Sequence, residues 1–170
     1  MLKKKIEKAF NKQINAELYS AYLYLGMSAY FDDIGLPGCS QWMKIQSQEE
    51  ITHAMKFFRH ISERGGRVEL DAIEKPLKEW ESPLHVFKSA LKHEQLVTSL
   101  IDGLVDIAIK EKDHASNNFL QWFVAEQVEE EESAGDIVDK LELIGEDRSA
   151  LFMLDNSLGA RVFTPDTEEK

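Results

Sequence analysis

The 170-residue chain contains a single cysteine, Cys39, and this scarcity excludes several kinds of site. One thiol cannot form an internal disulfide, a Cys-x-x-Cys redox pair or a cysteine-based zinc or iron–sulfur site. No apolar stretch follows the basic start of the chain, as one would in a signal peptide. Because internal disulfides are typical of oxidising compartments, we expect a cytoplasmic protein.

Basic residues are in the minority, and long apolar runs are missing. Lys and Arg total 20 against 31 Asp and Glu, which gives a formal net charge of −11. An acidic surface repels phosphate backbones and anionic lipid, and no apolar run approaches the about 20 residues that a membrane helix needs. We therefore expect neither nucleic acid nor a membrane as a partner. Apolar residues still make up 43% of the chain, enough to bury a core.

Glycine and proline are also few, with 9 and 4 residues, and they lie where the apolar periodicity breaks. Between the breaks, apolar residues recur at spacings of three and four, which is typical of helices with one buried face. The pattern predicts one all-α domain over 1–170, with a bundle over about 5–143. Its predicted helices cover about 5–33, 39–64, 83–110, 115–143 and, as a short fifth, 149–158, and a polar tail covers 164–170.

The lengths of the connections predict the topology. The links after the first and third helices are short, so each of these helices forms an antiparallel hairpin with the next. About 18 residues, 65–82, join the second helix to the third. At about 3.3 Å per residue, this segment can span the about 39 Å length of the second helix. We therefore expect a four-helix bundle with one long crossover.

Polar residues interrupt the apolar stripe near the middle of every long helix. They are Glu17, Glu50, His53, Glu94, Gln127 and Glu130. A buried ionised carboxylate is costly unless it is paired or metal-bound, and no Lys or Arg lies on the same faces of these middle turns. Glu17 and Glu50 are 33 residues apart, as are Glu94 and Gln127, so the two hairpins look like copies of one unit. We expect a pseudo-twofold pair of half-sites at the bundle centre.

Charge and ligand type predict two divalent ions at this centre. Four glutamates contribute a charge of −4, which two divalent cations neutralise. Residues three apart on a helix can chelate one ion, as Glu50 and His53 are placed to do. Oxygen ligands with one imidazole suit iron or manganese, although zinc and copper also bind such sets. We expect Glu50 to bridge the two ions; the alternative of solvated acids explains any single position but not the set.

A second set of acids flanks the first. Glu126, Glu129 and Glu130 share one helix face, and Glu49 adjoins the bridging glutamate. A third cation would relieve their mutual repulsion. A solvated acidic patch explains them equally well, and both interpretations stay open. We expect Glu131 and Glu132 to lie on the surface.

Three segments resemble the ferroxidase motifs of non-haem ferritins of the bacterial and archaeal type. They are NAELYSAYLY over 15–24, EEITHA over 49–54 and AEQVEEE over 125–131. The resemblance spans nearly the whole chain and implies the ferritin-like bundle, in a hollow homo-oligomeric shell of 24 subunits. It implies iron storage and detoxification: each bundle centre oxidises Fe²⁺ with O₂ or peroxide, and the shell stores the ferric mineral.

The resemblance also implies the roles of individual residues. It implies three iron-binding sets that share members: Glu17, Glu50 and His53; Glu50, Glu94 and Glu130 with Gln127 close by; and Glu49, Glu126 and Glu129 with Glu130. It places Tyr24 beside the iron pair. From there the hydroxyl group can hydrogen-bond a ligand of the iron, or the tyrosine can donate an electron. A core tyrosine with a satisfied hydroxyl is an equally good interpretation.

Departures from related families narrow the prediction. Bacterioferritins repeat a Glu-x-x-His motif in the fourth helix, whereas this chain has Gln127 and Glu130 there, and Ile51 replaces their haem-ligating methionine. We therefore expect no haem. Rubrerythrins carry a cysteine-rich module, which a single cysteine excludes.

Two other functions are compatible with such a bundle. A small diiron oxidase or peroxidase would act on a soluble reductant without storage, and a purely structural bundle would bind no metal. The number of subunits separates the first from a ferritin: a shell of 24 chains of 19.5 kDa indicates storage, whereas a monomer or dimer indicates the oxidase.

Overall fold

The computed structural model describes residues 1–164, so the polar tail expected over 164–170 lies outside them apart from Thr164. The described chain forms five helices: α1 Lys4–Asp33, α2 Pro37–Glu63, α3 Pro83–Lys110, α4 His114–Ile144 and α5 Arg148–Leu158. These residues contain no strand, which confirms the all-α prediction. Each helix begins and ends within two residues of its predicted bounds. None of the five has both the length and the apolar character that a membrane crossing requires.

Polar caps and glycine define the ends of the helices. The Ser82 hydroxyl accepts a hydrogen bond from the His85 backbone N–H at the start of α3. The Asp113 carboxylate accepts one from the Ser116 backbone N–H at the start of α4. Both contacts satisfy an N–H group that has no partner within its own helix. The α4 helix ends at Gly145, whose φ of 57° is a conformation that glycine adopts at little cost.

The segment 65–82 runs along α1, as its length predicted. Near the start of α1, the Asn11 side chain donates to the Arg67 carbonyl oxygen at 2.9 Å. Near the end of α1, the rings of Tyr30 and Trp80 lie edge to face with centroids 5.5 Å apart. The crossover therefore passes from one end of the bundle to the other and starts α3 parallel to α2. The four-helix bundle with one long crossover is confirmed.

The core consists of two apolar clusters separated by a polar layer. One cluster contains residues from the end of α1, the start of α2, the start of α3 and the end of α4, including Phe31 and Phe87. The other contains residues from the opposite ends of these helices, including Phe10, Phe57 and Phe123. Along every long helix, the predicted metal ligands lie between the residues of the two clusters. The polar layer is therefore closed at both ends by apolar side chains.

The short helix α5 packs against the beginning of α2. The Cys39 backbone N–H donates to Asp155 Oδ1 at 2.8 Å, and the backbones approach so closely that a Cβ on Gly38 would lie 1.7 Å from the Asp155 carbonyl oxygen. Only glycine fits at this contact. The docking directs the residues after α5 back along α2, toward the polar layer.

Candidate metal centre

The six polar residues that interrupt the apolar stripes all lie in the buried layer at the middle of the bundle. They are Glu17, Glu50, His53, Glu94, Gln127 and Glu130, and each is at most 5% exposed. The helix period places each on the inner face, in register with the apolar residues before and after it. Four helices therefore deliver acids to one point from four directions.

The first group at this point consists of Glu17, Glu50 and His53. One ligand atom from each lies within 4.8 Å of the others, and His53 Nδ1 is 3.4 Å from Glu50 Oε2. The Gln13 side chain donates to Glu17 Oε1 at 2.9 Å. The second oxygens, Glu17 Oε2 and Glu50 Oε2, are buried and make no hydrogen bond within residues 1–164. Two carboxylate oxygens beside an imidazole form a donor set that fits a divalent cation.

Glu94 is held by two neighbouring side chains. The Tyr24 hydroxyl donates to Glu94 Oε1, and the Gln127 amide lies 3.3 Å from Glu94 Oε2. In this arrangement Glu94 lies outside the three-ligand groups found in the described chain. Burial, with the charge of Glu94 second, raises the pKa of Tyr24 well above its usual range. The tyrosine is therefore a neutral donor.

A second group joins His53 to Glu126 and Glu130. One ligand atom from each lies within 4.8 Å of the others, and His53 Nε2 is 3.9 Å from Glu126 Oε1. His53 thus has one ring nitrogen toward each group. The sequence analysis assigned it to the first set alone, because spacing along α2 relates it to Glu50 but carries no information about α4.

The acids predicted to flank the first set differ in their burial. Glu49 and Glu126 are half-buried at the edge of the layer, whereas Glu129 is exposed on α4. Glu49 Oε2 accepts a hydrogen bond from Arg161 Nη2 at 2.7 Å. The sequence analysis expected Glu131 on the surface, but its side chain is half-buried. It accepts a hydrogen bond from the Thr98 hydroxyl at 2.5 Å.

Two residues at the centre were missed by the sequence analysis. Gln46 is fully buried, and its side-chain N–H donates to Glu130 Oε2 at 2.7 Å. Its position four residues before Glu50, on the same helix face, was the available signal. Arg161 contacts both Gln46 and Glu49. It follows α5 and lies on no helix stripe, so periodicity gave no indication of it.

The acids in the layer have strongly perturbed pKa values because they share a buried site. Burial raises the pKa of Glu17, and it raises the pKa of Glu50 well above its usual range, with further contributions from the neighbouring carboxylates. Burial raises the pKa of Glu94 to about 7 and the pKa of Glu130 to about 8. Near neutral pH, the layer is stabilised by bound protons or by bound cations.

The chain matches one family model over most of its length. The model is that of the Ferritin-like domain, and it matches residues 7–144. The bacterial non-heme ferritin of Bacteroides fragilis is 46% identical over 161 residues, which cover 95% of this chain and 100% of that protein. A probable bacterial non-heme ferritin-like protein of Haemophilus influenzae is 42% identical over 159 residues, which cover 94% and 96%.

Solved structures give a similar result. An open-pore ferritin from the hyperthermophilic archaeon Archaeoglobus fulgidus matches with a TM-score of 0.95 and 59% identity, over 95% of this chain and 100% of its own. A closed form of that ferritin, engineered by site-directed mutagenesis, matches with a TM-score of 0.96 and 59% identity, over 96% and 100%. The similarity therefore covers the four long helices and the region of α5.

Proposed function

The chain belongs to the ferritin family, and we propose that it oxidises Fe²⁺ to Fe³⁺ at the buried centre and stores the ferric product inside a shell of identical subunits. Iron is the substrate and the stored cargo, and O₂ or peroxide accepts the electrons. The names of the reported relatives, which are ferritins or ferritin-like, support storage. The function serves iron detoxification as well, since it removes Fe²⁺ from solution.

One observation carries the proposal of a metal centre. Glu17 Oε2 and Glu50 Oε2 are buried without a hydrogen bond from any described residue, next to the His53 imidazole. Ionised oxygens in that position are costly in the absence of a cation. A bundle designed only for stability would have apolar residues or pairing lysines and arginines there.

We assign two iron positions to this centre. Glu17, Glu50 and His53 bind the first, and Glu50, Glu94 and Glu130 bind the second, so that Glu50 bridges them. The ligand set is mainly anionic oxygen, which stabilises Fe³⁺ more than Fe²⁺ and so favours loss of an electron. Two adjacent irons deliver two electrons to one oxidant.

The residues around the second position favour turnover over permanent binding. Gln127 is uncharged, and its amide engages Glu94, so the second iron is held less tightly than a glutamate at position 127 would hold it. Tyr24 holds the other Glu94 oxygen and keeps this carboxylate pointed into the layer. Iron therefore leaves the second position more readily than it would with a carboxylate at position 127.

A third iron position is formed in part by the half-buried acids. Glu126 approaches His53 and Glu130, and Glu49 lies nearby on α2. Glu129 is exposed, so it joins only after its side chain turns toward Glu126. We assign no haem, and we place the assembled shell, with 24 subunits, in the cytoplasm.

The test combines oxidation kinetics with the size of the particle. Aerobic Fe²⁺ oxidation is followed by stopped-flow absorbance for the wild type, for Glu50→Ala, and for Glu132→Ala, which alters an exposed acid of α4. We expect rapid oxidation in the wild type and Glu132→Ala and its loss in Glu50→Ala. Equal rates in all three proteins would disprove the site. Size-exclusion chromatography after iron loading tests storage: a monomer or dimer that retains no iron would favour a soluble diiron oxidase.

A further inference from the structure

Arg161 reaches the edge of the buried layer from outside the bundle. It lies three residues beyond the last residue of α5, and its guanidinium carbon is 4.9 Å from the centroid of the Trp42 ring. Its Nη2 donates to Glu49 Oε2 at 2.7 Å, and its Nη1 donates to Gln46 Oε1. The two ends of its planar fork thus contact two α2 residues one helical turn apart.

The contact with Gln46 determines which way this amide points. A guanidinium group has five donors and no acceptor, so only the amide oxygen of Gln46 can face it. The NH₂ group must then point to the other side, where it donates to Glu130 Oε2 at 2.7 Å. If the amide were reversed, its oxygen would face the Glu130 carboxylate and repel it. A directed chain of hydrogen bonds therefore runs from Arg161 through Gln46 to a proposed iron ligand.

The contact with Glu49 has a separate effect. Glu49 belongs to the proposed third iron position, and the guanidinium group of Arg161 already supplies a positive charge to it at 2.7 Å. The two side chains are 27% and 22% exposed, so the pair is partly shielded from water and is stronger than a surface ion pair. A cation that binds through Glu49 must therefore compete with the positive charge of this arginine.

We propose that Arg161 is a positioning residue: through Gln46 it holds Glu130 in its metal-binding orientation, and by pairing with Glu49 it opposes occupation of the third position. The inference rests on the proposed function, because it concerns the same metal centre. One side chain, from the segment that follows α5, thereby strengthens the second position and weakens the third.

Equilibrium binding of Co²⁺, which does not oxidise under these conditions, tests the proposal without iron turnover. The proteins are the wild type, Arg161→Ala and the control Arg67→Ala, which removes an exposed arginine of the crossover. The position lost in Glu94→Gln identifies the second site in the isotherm, because Glu94 belongs to that position alone. We expect Arg161→Ala to weaken that position about tenfold, as outer-sphere changes do at metal sites, and to strengthen a third. Arg67→Ala should match the wild type.

Two further variants separate positioning from general stability. Gln46→Ala should weaken the second position to a similar extent, and adding Arg161→Ala to it should weaken that position no further, because both act along one chain of contacts. Arg161→Lys keeps a charge at Glu49 without the planar fork, so it should leave the third position weak while the second is impaired. These two variants decide the question if Arg161→Ala folds poorly.

The outcomes distinguish the proposed role of Arg161 from the proposed function of the metal centre. A wild type that binds no Co²⁺ and oxidises no Fe²⁺ overturns both. A wild type that binds Co²⁺ at the centre, with Arg161→Ala giving the same isotherm, overturns the role of Arg161 alone. Additive losses in the double variant overturn the route through Gln46, since they show that the two side chains act independently.

Discussion

The hydroxyl group of Tyr24 donates a hydrogen bond to Glu94 across the buried layer, joining α1 to α3 at a proposed iron ligand. The contact lowers the pKa of Glu94, although burial, the larger effect, raises it to about 7. Tyr24 therefore helps to keep this acid ionised and available to a cation. The ring of Tyr24 packs in an apolar cluster, and the contact with Glu94 gives its buried hydroxyl group a hydrogen-bond partner.

Replacing Tyr24 by Phe should weaken the second metal position without unfolding the bundle. The buried Glu94 loses one donor, so we expect about tenfold weaker Co²⁺ binding there and a loss of about 1 kcal/mol in the free energy of unfolding. Tyr22→Phe is the control, because Tyr22 lies on the same helix and is 49% exposed. Identical Co²⁺ isotherms for the two variants would contradict this role of Tyr24.

Replacing Gln127 by Glu should have the opposite effect on the second position. A fifth carboxylate adds negative charge to the layer, so we expect Co²⁺ to bind there about tenfold more tightly. Repeated cycles of Fe²⁺ oxidation should then slow after the first, because the product leaves less readily. Multi-turnover oxygen consumption measures this. Faster later cycles than in the wild type would be inconsistent with our account of Gln127.

The metal-free protein should lose stability as pH rises from about 5 to 8. A carboxyl whose pKa is higher in the folded state contributes stability below its unfolded pKa of about 4.3, and this contribution is lost as pH rises through the folded pKa. The relevant folded pKa values are about 7 for Glu94 and about 8 for Glu130. Thermal unfolding of chelator-treated protein across this range measures the loss.

Two comparisons check the cause of that pH dependence. Glu94→Gln should remove a part on the order of 3 kcal/mol, which corresponds to one group shifted by between two and three pKa units. Added Co²⁺ should restore stability at pH 8, since the cation replaces the protons. A melting temperature that is independent of pH in the metal-free wild type would show that the layer is not as strongly perturbed as its burial indicates.

Adding a methyl group at Gly38 should displace α5. The new Cβ would lie 1.7 Å from the Asp155 carbonyl oxygen, so we expect a loss of about 2 kcal/mol in stability. Because α5 positions Arg161, Gly38→Ala should also weaken Co²⁺ binding at the second position. Gly135→Ala is the matched control: nothing lies within 4 Å of its Cβ position, and alanine in a helix should add about 0.5–1 kcal/mol. Normal Co²⁺ binding in Gly38→Ala would indicate that Arg161 reaches the layer independently of the α5 contact.

The periodicity of the sequence was sufficient to predict the helices and the inner residues of the layer. Spacings of three and four place Glu17, Glu50 and Glu94 on the buried stripes, and burial of unpaired acids points to a cation. Periodicity was less informative at the edge of the layer. Glu126 and Glu129 differ by only 60° around α4, yet the first is half-buried and the second exposed. Arg161 could not be predicted, because its path depends on how α5 docks.

The two apolar clusters at the ends of the polar layer determine how a hydrated ion can travel. Aromatic rings such as Phe57 and Phe123, with centroids 4.3 Å apart, leave no hydrophilic channel along the bundle axis. An ion that reaches the layer would therefore arrive sideways, between neighbouring helices, where the half-buried Glu126 can exchange its water molecules for carboxylate oxygens. For a centre that binds a cation, dehydration and capture would then coincide at this flank of the bundle.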